Sequence, residues 1–217
     1  MNIKWIFFDV GSTLVDETKA YDHRARDMIE GTNITFSDFD GKRIELAKLG
    51  FDGNSKAIEY FALKKTPWHS EDETPFADAI EVLEYLKEHG YKLGVIANQN
   101  DGLTQRLKTW GMFECFDVIV SSSELGLAKP DRRIFEKALE WAGCQPENAV
   151  MAGDRLDNDI FPAKAIGMKT LWVKQGTAKY QSADLANGTA DWVVDNLTDL
   201  KELFKKRQEN NYDYRLL

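Results

Sequence analysis

The stretch Trp5-Ile6-Phe7-Phe8-Asp9-Val10-Gly11-Ser12-Thr13-Leu14 decides the fold. Its first four residues are uninterrupted apolar side chains. That is the pattern of a strand covered on both faces, where the in–out alternation of a half-exposed strand is lost. The run then stops on a carboxylate. Lys92 to Ala97, Val118 to Val120, Ala149 to Ala152, and Lys169 to Val173 after Gly167 read as strands of the same kind. Between them lie helical patterns that end at glycines, the residues suited to the left-handed helix stop. Ala79 to His89 sets Ile80, Leu83 and Leu86 on one face and closes at Gly90, Leu103 to Trp110 closes at Gly111, and Arg133 to Ala142 closes at Gly143. Strand and helix in alternation predict a parallel sheet with right-handed crossovers and helices on both faces, a three-layer α/β sandwich.

One segment breaks that rhythm. Residues 16–70 carry helical periodicity in Tyr21 to Glu30, Gly41 to Lys48 and Ser55 to Leu63, with no convincing strand. About 55 residues directly after a first strand is too long for a connecting loop, so the segment reads as a separate helical cap. The acidic run His69 to Thr74 is the returning linker. This divides the chain into a core of residues 1–15 and 76–217 and a cap of residues 16–75, in keeping with 217 residues, more than one average domain. Asn196 to Arg207 predicts a last helix and Glu209 to Leu217 a polar tail.

Composition excludes several classes of function. With 28 basic against 36 acidic side chains and a net charge of -8, no general nucleic-acid surface is expected. Cys115 and Cys144 match no disulfide framework or metal spacing and read as reduced core thiols. The apolar run before Asp9 is too short for a secretory signal, and nothing approaches a membrane span. The expectation is a soluble, cytoplasmic protein, monomer or homodimer, with a small-molecule substrate.

Ligands of open parallel sheets bind beyond the carboxyl ends of the strands. The residues standing there are Asp9, Asn98, Lys129 before Pro130, and Asp154 to Asp159 in the run Gly153-Asp154-Arg155-Leu156-Asp157-Asn158-Asp159. Carboxylates gathered at one sheet edge are costly to bury unless they pair or hold a metal. Asp157 and Asp159 share one helix start, and Asp159 is the better candidate for function. Pro130 holds Lys129 extended, whereas Asn98 also suits a tight turn.

At these residues the chain resembles the haloacid dehalogenase superfamily, chiefly its magnesium-dependent phosphohydrolases with a helical cap after the first strand. Asp9 to Leu14, Ala97-Asn98, Lys129-Pro130 and Gly153-Asp154 to Asp159 resemble that superfamily's four motifs, in order and on the right strand ends. The resemblance covers essentially the whole chain and implies a Rossmann-like core and a phosphoric monoester hydrolase. It makes Asp9 the nucleophile that forms an aspartyl-phosphate. It also makes Asp9, the Gly11 carbonyl and Asp154 ligands of Mg²⁺, with Asp159 holding either a water on the metal or Lys129. Lys129 would oppose the phosphoryl charge, and backbone N–H groups of Gly11, Ser12 and Thr13, with the Asn98 amide, would cradle the phosphate.

Two positions depart from the pattern. The family's phosphatases carry an aspartate, the proton donor and acceptor, where this chain has Gly11, followed by Ser12 where glycine is usual. A positioned acid or base is worth roughly 10²–10⁴ in rate, so alkyl phosphates should suffer most, and Gly11→Asp should raise turnover on alkyl phosphates more than on aryl ones. Ala97 replaces a hydroxyl residue that donates to the phosphate, a loss of about 1.5–3 kcal/mol. Three readings stay open: a phosphohydrolase of a small phosphorylated metabolite whose proton comes from elsewhere, a 2-haloacid dehalogenase, and an impaired member that binds a phosphoryl ligand or partner. Proton sources to test in the first case are Asp16 or the cluster His23, Arg24 and Arg26, although Asp16 as a helix cap and His23 as a surface residue are the simpler readings. Trp68 and His69 stand near the hinge of the expected cap.

Overall fold

The computed structural model describes residues 2–212 apart from Asn187 and Thr189. In chain order its elements are β1 (Trp5–Phe8), β2 (Val15–Asp16), α1 (Thr18–Ile29), α2 (Phe36–Lys48), α3 (Gly53–Tyr60), β3 (Thr74–Pro75), α4 (Ala79–Glu88) and β4 (Lys92–Ala97). There follow α5 (Leu103–Thr109), β5 (Val118–Ser121), α6 (Ser122–Leu125), α7 (Arg132–Ala142), β6 (Ala149–Gly153), α8 (Phe161–Ala165), β7 (Lys169–Val173), β8 (Trp192–Val194) and α9 (Asp199–Tyr212). Six strands form one parallel sheet in the order β5-β4-β1-β6-β7-β8.

β1 shows why a continuous apolar run is needed at the centre of this sheet. Its side chains alternate between faces: Ile6 and Phe8 pack with Leu83 and Leu86 of α4, Leu107 of α5 and Phe204 of α9. Trp5 and Phe7 pack on the other side with Ile134, Phe135 and Ala138 of α7 and with Ala163 of α8. Each face of β1 is therefore covered by helices, and the three layers follow. In α4 the buried residues are Ala79, Val82, Leu83 and Leu86, while Ile80 is 36% exposed, so the expected inward position of Ile80 is corrected by one helical step.

The sequence pattern misses three features. β8 has three residues, lies at the sheet edge and leaves Val193 exposed, too little apolar material to signal a strand. The β2–β3 pair is antiparallel with only two residues a side. Helix α9 runs on to Tyr212 through the expected polar tail, because no glycine or proline interrupts it; residues 213–217 of that tail lie outside the described residues. Cys115 is buried, but Cys144 is only partly so, and burial raises both thiols above the usual value. Among the described residues no helix is long and apolar enough to cross a membrane.

The β2–β3 pair ties together the two ends of the insertion that carries α1, α2 and α3. These helices bury an apolar cluster of their own, Ala25, Met28, Phe39 and Ala57. A reciprocal cap between Thr35 and Asp38 starts α2, and the Asp52 side chain accepts from Ser55 N–H to start α3. The insertion is docked on the sheet's carboxyl edge by an ion pair between Asp52 and Arg155 at 3.1 Å and by Gln181 donating to the Phe51 carbonyl at 3.2 Å.

Candidate active site

Every strand that flanks the centre of the sheet delivers a polar residue to the same point. Asp9 follows β1, its N–H still paired with the Ala152 carbonyl at 2.9 Å. Asp154 follows β6, and Asp159 returns to it from the single π-helical turn Leu156–Ile160. Lys129 comes from the loop between α6 and α7 and places its Nζ 2.5 Å from Asp9 Oδ1 and 2.6 Å from Asp159 Oδ1. The second Asp159 oxygen accepts from Arg155 N–H at 3.0 Å. Asp9, Asp154 and Asp159 each present an oxygen within 4.8 Å of the others.

The electrostatics of this cluster are unbalanced. Three carboxylates face one ammonium, and all four groups are buried. Burial works against charge on Lys129, but the Asp159 and Asp9 carboxylates outweigh it and hold the ammonium above the ordinary lysine value. Burial lifts Asp159 to about 6, with Lys129 pulling down against the repulsion of Asp9. Asp154 goes well above the usual carboxylate range, through burial and then the Asp159 and Asp9 charges. Among the described residues no cationic side chain lies within ion-pair distance of Asp154. Thr13 Oγ1 reaches its Oδ1 at 3.5 Å.

Asn98 is tied to the lysine loop. Its amide donates to the Lys129 carbonyl at 2.8 Å, and its oxygen accepts from Lys129 N–H at 2.7 Å. Both ends of the side chain thus clamp the lysine's backbone and aim the ammonium. The expected backbone cradle is also changed. Ser12 N–H is bonded to the Val15 carbonyl at 2.8 Å and Thr13 N–H points to the Val10 carbonyl at 3.4 Å, so these groups close the loop on itself.

That tight loop also brings in a residue from outside the strand-end motifs. It folds the chain back so that Glu17, the residue before α1, lays its carboxyl against Gly11. A Cβ built on Gly11 would lie 2.5 Å from Glu17 Oε1 and 2.7 Å from its Cδ. The Ser12 hydroxyl donates to Glu17 Oε2 at 3.1 Å. Burial, followed by the Asp9 and Glu73 carboxylates, pushes Glu17 up to about 8, against the pull of Ser12. A side chain at 11 would meet the Glu17 carboxyl, the far end of a flexible side chain, which would have to move aside. In sequence the only sign was a carboxyl at a helix start eight residues after Asp9, and its proximity depends on a turn that spacing does not reveal.

A cavity of about 770 Å³ opens above this point, between the insertion and the sheet edge, lined among others by Glu17, Tyr21, Arg24, Trp68, Asn98 and Arg106. The remaining sequence candidates lie apart from the cluster. Asp16 accepts from Thr18 N–H at 2.8 Å, a local helix-start contact. His23 pairs with Asp72, where the insertion rejoins the core, and Arg26 lies over the Phe36 ring. Asp157 is exposed and pairs with Arg155. Of the three basic candidates only Arg24 faces the cavity.

Comparison with known proteins places the chain. A family model described as haloacid dehalogenase-like hydrolase matches residues 6–173. The glyceraldehyde 3-phosphate phosphatase of Pyrococcus furiosus is 33% identical, over 97% of this chain and 96% of its own length. Among solved structures, a predicted phosphoglycolate phosphatase from Haemophilus somnus 129PT superposes with a TM-score of 0.69 at 19% identity, covering 94% of this chain and 99% of that one. A 2-haloacid dehalogenase from Pseudomonas syringae pv. Tomato DC3000 superposes with a TM-score of 0.63 at 22% identity, covering 94% and 99%. The fold alone is thus shared by both chemistries. The chain belongs to the haloacid dehalogenase-like hydrolase family. It is a hydrolase whose curated relatives include named phosphatases.

Proposed function

We propose that this enzyme is a Mg²⁺-dependent phosphatase of a small phosphorylated metabolite, acting through an aspartyl-phosphate on Asp9. The observation that carries the reading is the charge imbalance at the carboxyl edge of the sheet. Asp9, Asp154 and Asp159 meet with only Lys129 to neutralise them. All-oxygen donors with a net excess of negative charge suit a hard divalent cation, and Asp9, Asp154 and Asp159 are the side chains that would hold it. When bound, the cation supplies positive charge that lets a carboxylate and an anionic phosphoryl group approach each other. A halide-displacing enzyme needs no such ion, and would leave Asp154 buried beside two like charges.

The chain's own residues supply the rest. Asp9 attacks phosphorus, Lys129 holds the nucleophile and opposes the charge on the phosphoryl oxygens, and Asn98 fixes Lys129. Arg24 and Arg106 give the cavity local positive charge for an anionic substrate, despite the acidic balance of the chain. Residues 16–75 act as a cap whose docking through Asp52 and Arg155 excludes water from the reacting groups. The relative that hydrolyses glyceraldehyde 3-phosphate makes a triose phosphate the first substrate to test.

The test is turnover of a phosphate-ester panel and of 4-nitrophenyl phosphate, with Mg²⁺ and with chelator, beside Asp9→Asn. Chelation should abolish release of phosphate, and Asp9→Asn should lower kcat by about 10⁴-fold or more. Turnover that survives both treatments, or halide release from 2-haloacids in chelator, overturns the reading.

A further inference from the structure

Breaking the P–O bond of an alkyl ester leaves an alkoxide that needs a proton, and attack of water on an acyl phosphate needs a base to take one. The group that serves both steps has to stand on the cavity side of Asp9. Among the described residues, Lys129 is tied between Asp9 and Asp159, and Asp154 and Asp159 belong to the cluster behind the nucleophile. Arg24, Arg106 and Arg155 offer guanidinium groups, which donate hydrogen bonds and have no acceptor. Glu17 lines the cavity, is 9% exposed, and its carboxyl fills the space that a Cβ would take on the residue two beyond Asp9. Its Oε2 accepts from the Ser12 hydroxyl at 3.1 Å.

Three further residues are shaped around that carboxyl. Gly11 leaves the room for it. Ser12 adopts φ 55°, a left-handed conformation uncommon outside glycine, and there its hydroxyl meets Oε2. Gly176, from the loop after β7, gives Ser12 its space: a Cβ at 176 would lie 2.7 Å from that of Ser12. A surface glutamate would need none of this.

We propose that Glu17 is the proton-transfer residue of this enzyme, supplied from the start of α1. The proposal rests on the phosphatase reading above. In the first step the Asp9–phosphorus bond forms as the ester P–O bond breaks, and the Glu17 carboxylic acid gives its proton to the departing alkoxide, releasing an alcohol. In the second, a water oxygen bonds to phosphorus and the Asp9–phosphorus bond breaks. The water's proton goes to the Glu17 carboxylate, restoring the acid.

The discriminating experiment compares wild type, Glu17→Gln, Gly11→Ala and Asp9→Asn on glyceraldehyde 3-phosphate and on 4-nitrophenyl phosphate, whose leaving group needs little help. Each variant's fold is checked by circular dichroism and melting. Glu17→Gln should lose about 10²–10⁴-fold in kcat on the alkyl ester. On the aryl ester it should show a burst near one equivalent of 4-nitrophenol followed by slow turnover, as the phosphorylated Asp9 accumulates. Gly11→Ala, which displaces the carboxyl without removing it, should shift in the same direction. Equal losses on both esters with no burst, or wild-type rates in Glu17→Gln, overturn the role of Glu17 while Asp9-dependent turnover stands. Absence of Asp9-dependent turnover in wild type instead sinks the phosphatase reading itself.

Discussion

Among the described residues lie two groups of metal-ligand-type side chains, and they invite comparison. One is Asp9, Asp154 and Asp159 at the sheet edge; the other is His23, His69, Glu71 and Asp72 where the insertion rejoins the core. In the second group every charge has a local answer. Asp72 meets Lys19 at 2.5 Å and His23 at 2.8 Å, His69 meets Asp27 at 2.7 Å and Glu71 at 3.0 Å, and the two imidazoles stack with centroids 3.5 Å apart. His23 and Glu71 are also open to solvent. The first group is buried and left with an excess of negative charge. Residue type alone therefore does not distinguish a site from a surface network. Burial without compensation does, because folding must bear a cost that a bound ligand can relieve.

The largest break in that comparison should come at Lys129. Lys129→Met leaves three buried carboxylates uncompensated and should cost about 3–5 kcal/mol in urea unfolding, with Mg²⁺ recovering part of it. A loss no greater than that of an exposed lysine would show that the cluster is wetter than its burial implies. Asp154→Asn should act in the opposite direction. Removing one like charge should raise stability in chelator by about 1–4 kcal/mol and abolish the response of the melting temperature to Mg²⁺. At the hinge, His69→Gln should move the melting temperature by no more than about 2 °C, since its partners return to water.

The smallest effect is a pH dependence. Hydrogen bonds to Asp27, then to Glu71, hold His69 above its ordinary value of 6.5. A folded value above the unfolded one means that the contribution is fully present below about pH 6.5 and is lost as pH rises through the folded value. An NMR titration should place the His69 midpoint above 6.5, and Asp27→Asn should lower it. An unchanged midpoint in that variant would remove Asp27 as the cause.

The parts legible in sequence were those set by periodicity and strand ends. Trp5 to Phe8, Lys92 to Ala97 and Lys169 to Val173 are strands with the expected bounds, since buried parallel strands announce themselves by unbroken apolar runs. Asp9, Lys129, Asp154 and Asp159 could be gathered because topology alone brings strand ends together. What failed to show were contacts made by local turns. Asn98 clamps the Lys129 backbone, and the Ser12 and Thr13 N–H groups turn inward. Both depend on loop conformations that apolar pattern does not encode. The approach of the Glu17 carboxyl to the space beside Gly11 was hidden for the same reason.

That arrangement constrains how such an enzyme can change. The side chain at 11 and the carboxyl at 17 claim one volume, so their effects on fitness are not independent. Placing aspartate at 11 while Glu17 remains crowds the site, and removing Glu17 while Gly11 remains empties it. On the proposed role of Glu17, substitutions at 11 and 17 should not act independently, and the double variant Gly11→Asp with Glu17→Gln measures their coupling.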